Sequence, residues 1–230
     1  MHSNLIFRYF LLKLVNECIN LSQSSIHLNM RSFMTHVDIK NDRDKYLSKI
    51  LESDAQYKLV IAGPGTGKSY TFKRLLEVKQ GKRLAVTFIN KLAKDMEKNL
   101  SGLAEVRTFH SLCRKLLHEL LPEGIDNLFI FFPKLNQIIT EDAKLLCPNI
   151  IIQGDTIQNA FQKFDVTNEA IAFFMERANF YNAVGFDDSV YRVILAFEKN
   201  NSKIPQFTQI VVDEFQDFNA LEVISSIIWL

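Results

Sequence analysis

"AGPGTGKS", residues 62–69, decides how this chain is read. It follows the apolar run "KLVIA" (58–62), which predicts a short buried strand, and opens "YTFKRLLEVKQG", which predicts a helix closed by Gly81. Small residues let the backbone curl until its N–H groups face one centre, and the helix N-terminus adds partial positive charge there. A strand, such a loop and a helix, in that order, form a phosphate-binding turn. The expected nucleotide-binding set is Ala62, Gly63, Pro64, Gly65, Thr66, Gly67, Lys68 and Ser69. Within it Lys68 reaches toward the β- and γ-phosphates of ATP, and the Ser69 hydroxyl toward Mg²⁺. The strictest form of this loop begins with glycine; Ala62 is a small change, and three glycines preserve the flexibility. The competing reading is a glycine-rich turn with no ligand, and the adjoining Lys-Ser pair weighs against it.

Near the other end, "IVVDEFQDFN" (210–219) has β-branched apolar residues running into acidic ones. A hydrophobic strand ending in Asp213 sets a carboxylate at the C-terminal edge of a sheet, where it can hold Mg²⁺ through water. Glu214, next in line, can orient and deprotonate an attacking water. Taken alone, this stretch is better explained by a solvated acidic turn. Beside a phosphate-binding loop, it completes a hydrolytic site.

Between these two ends, "RLAVTF" (83–88) and "EVRTF" (105–109) read as strands, each followed by a helical stretch. Strand and helix in alternation predict a parallel sheet with helices on its faces. From about residue 122 to 203 the pattern is mainly helical, with a turn expected at Gly185 and an acidic helix start at Asp187 and Asp188. The expected organisation is an N-terminal extension (1–35), the first part of an α/β domain (36–121), a helical insertion (122–204) and a return to the α/β domain (205–230).

Composition constrains the rest. The chain has 230 residues, 47% hydrophobic and 23% charged, which is ordinary for a globular protein, and a net charge of +1 that gives no whole-molecule pull toward nucleic acid. Any DNA contact therefore comes from a local surface. Cys18, Cys113 and Cys147 are widely spaced, which predicts reduced thiols rather than a disulfide framework or a zinc site. "LIFRYFLLKLV" (5–15) is interrupted by Arg8 and Lys13 and is far short of the ~20 apolar residues of a membrane span. It predicts a peripheral amphipathic helix and a cytoplasmic protein without a membrane partner.

Four stretches in order, "AGPGTGKS", "TFINKLAKDMEKNL", "VRTFHSLCRKLL" and "VVDEFQDFN", resemble the UvrD/Rep-type superfamily 1 DNA helicases. The resemblance covers roughly residues 59–219. It implies an incomplete RecA-like P-loop NTPase fold with a helical insertion, ATP and Mg²⁺ as cofactors, and single-stranded DNA as partner. It implies catalytic roles for Lys68, Asp213, Glu214 and Gln216, with Gln216 sensing the γ-phosphate and Ser69 and Asp213 holding the metal. It also implies DNA contacts at Phe88, Asn90, Thr108, Phe109 and His110. An aromatic ring can stack a base while a hydroxyl or imidazole bonds a phosphate; core packing at a strand end is the competing reading for Phe88 and Phe109.

Departures from the family pattern shape the expectation. Helicases of this type carry an adenine-reading glutamine some twenty residues before the loop lysine, and "NDRDKYLSKIL" (41–51) has none. The family's later motifs and its second motor domain, with arginine fingers, lie beyond the motifs found here. The chain is therefore expected to be the N-terminal part of an ATP-dependent DNA helicase, not competent for unwinding alone, with a C-terminal helicase half as possible partner. Two alternatives stay open: a nucleotide- or DNA-binding module without turnover, and a P-loop kinase.

Overall fold

The strand "RLAVT" is apolar on both sides of its pleat, and a strand with that character must be covered on both faces. In the computed structural model it is β1 (Arg83–Thr87), the centre of a three-stranded sheet. The structure describes residues 36–63, 65–120, 129–147, 157–165 and 169–228. The amphipathic helix expected at 5–15 lies outside them, as do Cys18 and Pro64 of the phosphate-binding loop.

Around β1 the chain runs as follows. Helices α1 (His36–Glu52) and α2 (Lys68–Val78) precede β1; α3 (Asn90–Asn99), β2 (Glu105–Thr108) and α4 (Phe109–Leu120) follow it. The insertion contributes β3 (Ile130–Phe131), α5 (Leu135–Leu146), α6 (Ile157–Gln162), α7 (Glu169–Phe180), β4 (Ala183–Val184) and α8 (Phe186–Lys199). The chain then returns as β5 (Gln209–Val212) and α9 (Ala220–Ile228).

The sheet order is β2-β1-β5, parallel throughout, with Ala85 opposite Val106 on one side and Val211 on the other. Alternation along β1 divides its side chains between two cores. Leu84 and Val86 face the larger core with Phe109, Leu112 and Leu116 of α4 and the insertion's Phe161, Phe174 and Phe197. Ala85 faces a smaller core with Leu76, Met96, Leu100 and Val211. The insertion is thus continuous with the larger core rather than a separately packed body.

The α/β class and the P-loop NTPase-like parallel sheet are as the sequence indicates. One expectation fails. The apolar "KLVIA" run forms no strand: residues 58–63 have no regular structure, and Leu59 and Ile61 are 57% and 83% exposed. Strand composition yields a strand only where a neighbour supplies the hydrogen-bond ladder, and this run pairs with no strand of the described sheet. The insertion, expected to be mainly helical, also carries the short parallel pair β3–β4, with Ile130 opposite Ala183.

Local signals elsewhere behave as expected. The chain turns before α8 at Gly185, whose N–H donates to Asp188 Oδ1 at 2.7 Å. Arg192 Nε, one turn on, donates to the same carboxylate at 3.3 Å. Cys113 is fully buried, which pushes its thiol pKa up, and Cys147 is also unpaired. No helix among the described residues is long and apolar enough to cross a membrane.

Candidate nucleotide and DNA site

In a parallel sheet all strands end at the same edge, and ligands bind there. Here that edge is marked by Thr87 at the end of β1 and Phe88 after it, Thr108 at the end of β2 and Asp213 after β5. The pairing continues past the last strand residue, since Asp213 N donates to Val86 O at 2.8 Å. Asp213 is thereby fixed against β1.

The phosphate-binding loop has the backbone its glycines were expected to permit. Gly65 (φ 73°) and Gly67 (φ 92°) both lie in the left-handed region that L-residues avoid. Thr66 Oγ1 donates to Gly63 O at 2.7 Å, and Gly67 O accepts the first helical bond of α2 from Thr71 N at 3.0 Å. Lys68 then begins α2, and Ser69 is exposed beside it.

Lys68 Nζ lies 3.1 Å from Glu214 Oε1, with both side chains about one-third or less exposed (32% and 26%). Gln216 Nε2 donates to the other carboxylate oxygen, Oε2. The geometry that turns Glu214 inward is a left-handed backbone (φ 53°) that caps a one-turn helix, Phe215–Asp217. The hydrogen bond from Gln216, and then that from Lys68, hold the Glu214 carboxyl below the usual range. Asp213 is shifted the opposite way, raised by burial and by the neighbouring Glu214 charge. The two adjacent carboxyls are therefore shifted in opposite directions.

The donor set also suits a hard cation. Ser69 and Asp213 offer a hydroxyl and a carboxylate, oxygen ligands only, and Mg²⁺ takes few protein ligands and keeps several waters.

The expected DNA residues separate into two groups. Phe88 is half-buried and meets the His110 ring edge-on at 5.5 Å, while Asn90 is exposed at the start of α3. Thr108 is half-buried, and its hydroxyl accepts a bond from Ser111 N at 3.4 Å. Phe109, by contrast, is fully buried in the larger core. Its ring has no face free for a base, so its assignment as a stacking residue is corrected to core packing. Burial, aided by the Arg114 charge, pushes His110 down to about 4, so its imidazole is neutral at physiological pH. A neutral imidazole bonds a phosphate without an ion pair.

Motif reading missed the residues that join these parts. Phe218 packs on Phe88 (5.3 Å), Phe109 (5.1 Å) and Phe215 (5.4 Å), so the segment carrying Glu214 and Gln216 is seated on the expected DNA side. Asn219 and Glu222 form a reciprocal cap on α9: Asn219 N donates to Glu222 Oε2 (2.9 Å), and Glu222 N to Asn219 Oδ1 (3.1 Å). The N-x-x-E spacing was a readable sign of that cap. Glu222 Oε1 also lies 3.5 Å from His110 Nε2. Burial raises Glu222 to about 7. Between about 4 and 7 this contact therefore joins two neutral groups rather than an ion pair.

A parallel sheet with a glycine-turned phosphate loop and an acidic strand end opposite it defines a P-loop NTPase. The family described as "AAA domain" matches residues 48–228, and the chain belongs to it, within the UvrD/Rep-type helicases. A "Probable DNA helicase II homolog" of Mycoplasma capricolum subsp. capricolum is 26% identical over 232 residues, covering 81% of this chain and 32% of that protein. "ATP-dependent DNA helicase UvrD1" of Mycobacterium bovis is 26% identical over 212 residues, covering 70% of this chain and 27% of its own length. The chain thus spans about a third or less of the curated relatives it matches.

Proposed function

We propose that this chain is the ATP-hydrolysing, single-stranded-DNA-contacting part of an ATP-dependent DNA helicase. The observation that carries the reading is the convergence of Lys68, Glu214 and Gln216, with Lys68 Nζ 3.1 Å from Glu214 Oε1, at the edge where the parallel strands end.

The residues act in sequence on the triphosphate. Backbone N–H groups of the loop and the N-terminus of α2 receive the β-phosphate, and Lys68 leaves Glu214 for the γ-phosphate oxygens. Glu214, so released, accepts a hydrogen bond from the attacking water and aligns it with the γ-phosphorus. With its pKa held low, Glu214 stays ionised, which suits orientation of the water and late acceptance of its proton. The new P–O bond forms as the bond to the β–γ bridging oxygen breaks, and ADP leaves. Mg²⁺ held by Ser69 and Asp213 would supply charge neutralisation on the phosphate oxygens. Gln216, bonded to Glu214, reports the change to the segment that carries Phe218, and Phe218 bears on Phe88. Phe88, Asn90, Thr108 and His110 form the DNA-contacting surface of this reading.

An arginine finger is worth a factor of about 10³–10⁵ in such reactions, and the described residues bring no arginine to the Lys68–Glu214 pair. The 230-residue chain by itself is expected to bind nucleotide, hydrolyse it slowly and unwind no duplex. Phosphate release from ATP, with and without single-stranded DNA, tests this in the parent chain and in Glu214→Gln. Release that Glu214→Gln leaves unchanged would remove the hydrolytic reading.

A further inference from the structure

Thr87 ends β1, a strand that is apolar after Arg83, and its side chain is fully buried. Its hydroxyl has no hydrogen-bond partner among the described residues. A valine would fill the same space, suit a strand equally well and leave no polar atom unpaired. An orphaned hydroxyl is costly in a core, and this one sits at the edge where a parallel sheet binds its ligand.

Alternation along the strands fixes the face that Thr87 takes. Ala85, two residues earlier, packs with Leu76 of α2, Met96 of α3 and Val211 of β5. Thr87 shares that face, the one covered by α2, whose first turn carries Lys68 and Ser69. Ala85 pairs with Val211 and Val86 with Val212, so the register carried one residue further sets Asp213 opposite Thr87. The bond from Asp213 N to Val86 O keeps the two strands together to that point. Val211 and Asp213 share a face by the same alternation. The Thr87 hydroxyl and the Asp213 carboxyl are therefore neighbours across one strand spacing, about 4.8 Å.

The surrounding bonds narrow the choice of partner. Thr108, opposite Thr87 on β2, already receives Ser111 N on its hydroxyl at 3.4 Å. Asp213 Oδ1 accepts from Glu214 N at 3.1 Å, which leaves Oδ2 for a further donor. A strand spacing is too wide for a direct bond and suits one bridging water.

We propose that Thr87 is a positioning residue for Asp213: its hydroxyl donates, through one water, to the carboxylate and holds it toward the cation. Mg²⁺ demands near-ideal geometry of its ligands, and bonds made behind a ligand set its orientation. The inference rests on the reading of Asp213 as a Mg²⁺ residue and adds the group that aims it.

The test follows a fluorescent ADP analogue bound to the full chain as Mg²⁺ is titrated in. Thr87→Val removes the hydroxyl and keeps the shape. Its Mg²⁺ midpoint is expected to rise about fivefold, while affinity without Mg²⁺ holds. Thr87→Ser keeps the hydroxyl and is expected to keep the parent midpoint. In urea, without nucleotide or Mg²⁺, Thr87→Val is expected to be at least as stable as the parent, because it deletes an unpaired polar atom. A Thr87→Val midpoint equal to the parent's, with Asp213→Ala raising it, overturns the proposal and leaves the metal reading intact. A Thr87→Val chain less stable than the parent, or a midpoint shift that Thr87→Ser shares, assigns the side chain to packing and also overturns it. Nucleotide binding indifferent to Mg²⁺ in both the parent and Asp213→Ala overturns the metal reading and this inference with it.

Discussion

Lys68 Nζ and Glu214 Oε1 meet at 3.1 Å although 146 residues separate them along the chain. In the proposed reading, the cation meant for phosphate and the residue that orients water are therefore partners before any phosphate competes for the cation. A γ-phosphate must displace Glu214 to engage Lys68, which couples binding of the nucleotide to release of the base.

This competition predicts opposite effects of two substitutions. Lys68→Ala removes a charge-assisted bond to phosphate, and affinity for a fluorescent ATP analogue is expected to fall about tenfold. Glu214→Gln relieves the competition, so affinity holds or rises while phosphate release stops. Equal loss of binding in both variants would show that the pair is merely structural.

Gln216 sets the protonation of Glu214 as much as Lys68 does. Its hydrogen bond is the leading cause of the lowered Glu214 pKa. Gln216→Ala is expected to move that carboxyl back toward its ordinary value, read by carbon-13 NMR titration of labelled glutamates. A Glu214 midpoint that does not move would place the lowering on Lys68.

Glu222 makes stability depend on pH with a definite sign. Its folded pKa, about 7, lies above the ordinary 4.5, so the folded chain holds more protons across that window. Stability from this group is full below about pH 4.5 and is lost as pH rises through 7, on the order of 3 kcal/mol in all. His110, lowered from 6.5 to about 4, acts in the opposite direction between those values. Glu222→Gln cannot titrate, so its melting temperature relative to the parent is expected to rise from pH 5 to pH 8. A difference that stays flat with pH would show that Glu222 ionises normally.

Gly81 and Phe109 are expected to be intolerant for different reasons. Gly81 has φ 113°, and a Cβ there would sit 2.2 Å from Thr208 Oγ1, beside the bond from Thr208 N to Lys82 O. Gly81→Ala therefore strains the backbone at the entry to β1 and is expected to cost about 1–3 kcal/mol. Phe109→Ala empties a fully buried site in the larger core and is expected to cost about 3–5 kcal/mol. Urea denaturation measures both. A Phe109→Ala chain of unchanged stability that has lost DNA affinity would restore the stacking role.

Contiguous chemistry was legible in the sequence. The loop at 62–69, the strands at 83–87 and 105–108, and the turn after "QIVV" each declare themselves within a few residues, because local backbone preferences and burial periodicity act over that range. The same signals gave the parallel α/β class. They failed at "KLVIA", where apolar β-branched character predicted a strand and Ile61 instead stands 83% exposed. A strand is a property of a pair, and the sequence of one member does not contain the other.

Tertiary structure alone decided which aromatic does what. Phe88 and Phe109 occupy equivalent places directly after β1 and β2, yet one is half-buried against His110 and the other is sealed in the core. It also brought Phe218, Phe186 and Glu222 to the expected DNA side, and it set Lys68 against Glu214. Motifs name side chains by type and spacing along the chain. Proximity, burial and the pKa shifts that follow from them depend on contacts between residues far apart in sequence, and only the fold supplies those.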